Sequence, residues 1–177
     1  TDQNTGLAFV SEASKLVEAG IPLLVIRGNH DAANRMTSSL PLPKNPDGSE
    51  LFLSADRPES RILEDAGIAV HGQSFRSRSE KANLARKYPE PIQGMFNLGL
   101  LHTALEGSSS HANYAPCTAQ ELPDKGYHYW ALGHIHKRED FALPDGPPIV
   151  FSGNLQGRHI GELGPKGCLI VEIDDRN

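Results

Sequence analysis

Three short stretches carry the side chains best able to do chemistry: Gly28-Asn29-His30-Asp31, Leu101-His102-Thr103 and Gly133-His134-Ile135-His136. Each sets an Asn or a His directly behind an apolar run. Neutral imidazoles and an amide oxygen are donors that suit a divalent transition metal. A single histidine says little, because most histidines are hydrogen-bonded core or surface residues. His134 and His136 say more. They flank one Ile behind a Gly, and in an extended segment residues two apart project to the same side. With an Asn-His-Asp after one apolar run and a His after another, the three stretches point to one metal centre.

The elements that must position these residues read as an α/β chain. Thr5 to Ala19 predicts a helix, with Leu7, Val10, Ala13, Leu16 and Val17 at helical spacing and Gly20 to end it. Pro22 to Arg27 is a continuous apolar run, the pattern of a strand covered on both faces. Asn29, His30 and Asp31 then fall beyond the carboxyl end of that strand, where ligand sites of open α/β sheets gather. Residues 36 to 60, rich in Pro, Ser, Asn and Asp, predict a long excursion with a short strand at Leu51–Leu53. Further strands are expected at Ile68–Phe75, Phe96–His102, Tyr127–Leu132, Ile149–Phe151 and Cys168–Ile173, and short helices at Ser79–Tyr88 and after Thr118. Thr118-Ala-Gln-Glu121 has the pattern of a capping box. The stretch from Glu106 to Pro116 reads as a loop.

The 177 residues fit one domain. A formal charge of −5 gives no support for a wholly basic nucleic-acid-binding surface, though a local basic patch is compatible with it. Two cysteines, Cys117 and Cys168, without a CxxC, make neither a disulfide framework nor a zinc knuckle. They read as free thiols in a reducing, cytoplasmic setting. No apolar stretch approaches the ~20 residues that a membrane span requires.

Arg27 to Asp31, Leu100 to Thr103 and Ala131 to His136, in this order, resemble the motifs of the calcineurin-like metallophosphoesterases. Within that superfamily they resemble the Mre11/SbcD-like DNA repair exonuclease branch. Ser152 to Gly167 and His71-Gly-Gln-Ser-Phe75 are similar to the bacterial YhaO-type members. The resemblance implies two mixed β-sheets packed face to face with flanking helices. It implies two divalent metal ions, with manganese the expected ion, that hydrolyse a DNA phosphodiester.

Carried over by position, Asn29, His102 and His134 match ligands of one metal, and His136 matches a ligand of the other. His30 matches the residue that meets substrate and acts as general acid, with Asp31 orienting its ring. The family's two earlier motifs, an Asp-x-His and a Gly-Asp-x-x-Asp, have no match before Gly28, and Asp2 lacks the Gly-Asp context. The resemblance therefore implies that residues 1–177 are the C-terminal part of the nuclease domain, without its first strands and with an incomplete metal site. His71, Arg158 and His159 are further candidates for substrate contact. Family relatives work with an SMC-like ATPase and many form homodimers. Two other readings stay open: a phosphomonoesterase or cyclic-nucleotide phosphodiesterase on the same scaffold, and a non-catalytic scaffold that binds protein.

Overall fold

The computed structural model describes residues 3–32, 40–106, 114–141, 143–157 and 159–174. Asp2 and Arg158, which the sequence singled out, lie outside them.

The chain opens with helix α1 (Gln3–Glu18) and the single turn α2 (Asn29–Ala32). Six strands follow: β1 (Glu59–Leu63), β2 (Ile68–Gly72), β3 (Phe96–His102), β4 (Tyr129–Gly133), β5 (Glu139–Asp140) and β6 (Ile149–Phe151). They form one mixed sheet in the order β1-β2-β3-β4-β6-β5. The four inner strands run parallel, and the two edge strands, β1 and β5, are antiparallel to their neighbours. Parallel order brings the carboxyl ends of β3 and β4 side by side, with His102 in register with Gly133. The backbone N–H of Thr103 donates to Gly133 O at 3.1 Å and ties the two strand ends together. The site is built at these ends.

Packing beneath the sheet centres on Trp130, which is fully buried. Its indole stacks on Tyr127 and Tyr88, with ring centroids 5.0 and 5.9 Å away, and its Nε1–H donates to Leu122 O. Room for the indole comes from Gly99, its register partner on β3. A Cβ at Gly99 would lie 2.3 Å from the indole carbon Cε3. Phe75, Leu101, Leu122, Ile149 and Phe151 complete this core.

Several expected elements take another form. The run Pro22–Arg27 builds no strand ladder. Val25 makes an isolated parallel bridge to Phe52, with Val25 N donating to Leu51 O and Leu53 N to Val25 O. The second sheet of the expected face-to-face pair is not seen among the described residues, because the segment that would seed it has this one bridge. Helix α1 forms as the spacing predicts, yet its apolar stripe is only partly covered. Ala13 is buried, while Leu7 is 48% exposed. Ser79–Tyr88 is not a helix beyond one 3-10 turn at Ala85–Lys87. It is polar, and it is held from outside by the Glu121 carboxylate, which accepts from Asn83 Nδ2 and pairs with Arg86. The same carboxylate accepts from Thr118 N–H at 3.0 Å, and Thr118 Oγ1 accepts from Glu121 N–H, so the capping box is present. It opens a turn and then the 3-10 segment Pro123–Lys125.

Cys168–Ile173 pairs with no strand among the described residues, and Ile170 is 88% exposed. Alternating β-branched residues do not make a strand without a partner. β1, which closes the long 36–60 excursion, and β5 are strands that the sequence did not signal.

The Gly99–Trp130 contact yields a prediction. Gly99→Ala forces a methyl group into the indole, and overpacking of a filled core costs about 1–3 kcal/mol. Urea denaturation of the variant should show that loss, and an unchanged midpoint would contradict the packing described.

Candidate metal centre

Three chain turns at the sheet's carboxyl edge carry the candidate side chains. Asn29 begins α2, His102 ends β3, and His134 follows the end of β4. Two glycines let them approach. A Cβ at Gly28 would lie 2.3 Å from His102 Cε1, and one at Gly133 would lie 3.2 Å from His102 Nδ1. The imidazole of His102 thus occupies the space that two side chains would take. Phe75 meets it edge-on at 5.0 Å between centroids.

On this frame, Asn29 Oδ1 lies 3.0 Å from His102 Nε2. An amide oxygen can only accept, so Nε2 carries the proton in this arrangement. The His134 ring packs against His102 at 5.2 Å and against Tyr114 at 5.5 Å between centroids. His134 has φ 115°, a positive value that a non-glycine residue rarely adopts. Such backbone strain concentrates at functional sites. The chain bends after Gly133 instead of staying extended, so the H-x-H alternation arises otherwise than the spacing suggested. Ile135 is buried in the core, and its two neighbours face outward from it, His134 half-buried and His136 exposed.

Burial and the neighbouring rings of His134, His30 and His136 hold His102 well below the usual histidine range, at about 3. His102 is therefore neutral at any ordinary pH, the state a metal ligand requires. With the ring proton moved to Nδ1, the Asn29 Oδ1 and His102 Nε2 pair would also fit a cation in its spacing. Two donors each about 2.1 Å from one ion and at right angles to each other lie about 3.0 Å apart. Among the described residues, no three His, Cys, Asp or Glu side chains are gathered closely enough to hold an ion by themselves.

The remaining candidates fall in different places. His30 is exposed on α2, near enough to His102 to disfavour its protonation. The Asp31 carboxylate accepts from the Gly28 N–H at 3.4 Å, closing the loop that begins α2. His136 Nδ1 lies 2.6 Å from Glu162 Oε1, and exposed His159 lies 3.5 Å from the same oxygen through Nε2. His71 belongs to the core, not to a substrate surface. It is fully buried, and its Nε2 donates to Asn97 Oδ1, which leaves Nδ1 to accept from Ser60 Oγ. It also stacks on Tyr127 at 4.4 Å. Both of its ring nitrogens are thus engaged within the core. Sequence reasoning missed Glu162 and Asn154 as neighbours of His136. Glu162 is separated from that ring by 26 residues, and only its place in the Gly-rich 152–167 stretch hinted at it.

Residues 3–138 match the calcineurin-like phosphoesterase family, and the chain belongs to it. It is 35% identical over 169 residues to the uncharacterized metallophosphoesterase YhaO of Bacillus subtilis, a match covering 94% of this chain and 40% of that protein. It is 30% identical over 152 residues to the DNA double-strand break repair protein Mre11 of Sulfurisphaera tokodaii, covering 84% of this chain and 38% of the relative. The Mre11 protein of Methanopyrus kandleri is 25% identical over 183 residues, covering 93% of this chain and 40% of the relative. The chain thus spans about two fifths of the length of these relatives. No solved structure matches it with significance. No helix among the described residues is long and apolar enough to cross a membrane.

The depressed His102 gives a pH prediction. Below pH 6.5 the unfolded chain takes up a proton on this ring that the folded chain refuses until about pH 3. Stability is fully present above that window and falls as pH falls through it. The urea midpoint should drop between pH 6.5 and about 4, and His102→Asn should flatten the drop, leaving the smaller part due to buried His71. An equal slope in the variant would contradict the burial of a neutral His102.

Proposed function

We propose that this chain contributes to a two-metal phosphodiesterase that acts on DNA in the manner of a repair exonuclease. The observation that carries the reading is the facing pair Asn29 Oδ1 and His102 Nε2 at 3.0 Å, beside the strained His134. Family membership supports the hydrolase class. DNA as substrate draws its support from the two Mre11 relatives, whose names state DNA double-strand break repair.

In this reading Asn29, His102 and His134 hold one cation and His136 reaches a second, with residues 1–177 the C-terminal part of the nuclease domain. Divalent ions, Mn²⁺ foremost, supply positive charge against the phosphodiester oxygens and activate water. The chain's own residues do the rest. Burial keeps His102 neutral, so that one ring nitrogen has a lone pair to offer. Gly28 and Gly133 fix where its ring stands. The imidazole of His30, exposed beside the cluster, delivers a proton to the leaving oxygen. Asp31 holds the loop that presents His30.

Two outcomes follow. Calorimetry of this chain with Mn²⁺ should show one site of modest affinity, abolished in His102→Ala. Two tight sites would mean that the ligands are wrongly assigned. In the full-length protein, His134→Ala should lose metal. His30→Ala should keep both ions and lose about 10²–10⁴-fold in turnover on DNA, the usual contribution of a general acid. Metal loss in the His30 variant, or hydrolysis of a chromogenic monoester in place of DNA, would overturn this assignment.

A further inference from the structure

We infer that Glu162 is a positioning residue for His136, fixing its ring as the Nδ1–H tautomer and leaving Nε2 as the nitrogen that faces the centre. The inference rests on the metal reading above and adds to it a group that lies outside the stretch matched to the family, residues 3–138.

Glu162 lies on the segment that returns over the H-x-H turn, and its side chain is only 10% exposed. Its Oε1 lies 2.6 Å from His136 Nδ1. An ionised carboxylate only accepts, so the ring nitrogen facing it must carry the proton. The other oxygen, Oε2, accepts from Asn154 Nδ2 at 3.0 Å. The carboxylate is therefore held from two sides, with His159 Nε2 a further neighbour of Oε1 at 3.5 Å. Its frame is tied to the same turn. Asn154 N–H and Lys166 Nζ both donate to the His136 carbonyl at 3.3 Å, and Gly167 N–H donates to Asn154 O. Gly153 permits this close return, because at φ 77° a Cβ there would lie 3.1 Å from His136 O.

Without such a partner, an exposed imidazole populates both tautomers and rotates about its Cβ–Cγ bond. With it, one nitrogen is held as a donor and the other is presented bare. Carboxylate partners of ligating histidines work in this way, and their loss costs about 10–100-fold in metal affinity.

The test has two arms. Long-range ¹H–¹⁵N spectra of the metal-free chain, with His136 assigned by its loss in His136→Ala, should show one Nδ1–H tautomer. Glu162→Ala should give a mixture of tautomers. Glu162→Gln, which keeps an acceptor oxygen and the side-chain shape, should fall between and serves if the alanine variant fails to fold. In the full-length protein, Glu162→Ala should weaken one of two Mn²⁺ sites by about 10–100-fold and leave the other unchanged. A wild-type ring that is Nε2–H or mixed, or a tautomer indifferent to both substitutions, overturns the inference whatever the metal does. A tautomer that responds while both Mn²⁺ sites keep their affinity overturns its metal-facing half. A full-length protein that binds no Mn²⁺ overturns the metal reading instead, and the spectra alone then decide whether Glu162 holds His136.

Discussion

The whole site depends on one steric constraint: the ring of His102 occupies volume that only glycine leaves free. At Gly28 an added methyl carbon would sit 2.3 Å from the imidazole, well inside van der Waals contact. Gly133 faces the same ring from the neighbouring strand end. The parallel register of β3 and β4 sets His102 against Gly133, and the loop after Arg27 brings Gly28 over the other side. With both glycines in place, Asn29 and His134 reach the ring directly. A bulkier residue at either position would push the three donors apart.

Electrostatics follows from that crowding. Three imidazoles, His30, His134 and His136, stand around His102, each adding to the cost of a positive charge on it. Such a cluster is tolerable while the rings are neutral, and neutral rings are what a cation needs. The strained backbone at His134 belongs to the same picture, since a φ of 115° persists only where surrounding contacts enforce it. Burial of Ile135 in the core is one such contact, anchoring the turn between half-buried His134 and exposed His136.

Much of this was legible in the sequence, and for a physical reason. Inner strands of a parallel sheet are rich in apolar residues, so Phe96–His102, Tyr129–Gly133 and Ile149–Phe151 announce themselves as apolar runs, and the residues behind them mark the ligand edge. Pro22–Arg27 carries the same pattern but pairs only through Val25, because a strand also needs a neighbour, which no local pattern encodes. The trio Ser60–His71–Asn97 shows the opposite limit. A histidine at a strand end looks like a site residue until its two partners, 11 and 26 positions away, are known. Glu162 was hidden in the same way. It becomes meaningful only when the chain folds back over His136.

The central claim is that Asn29, His102 and His134 converge on one cation. Anomalous diffraction at the manganese edge, from crystals of the full-length protein grown with Mn²⁺, tests it most directly. The account predicts a peak bonded to Asn29 Oδ1 and to ring nitrogens of His102 and His134. Manganese bound elsewhere, with Asn29 Oδ1 still accepting from the Nε2–H of His102, would contradict it.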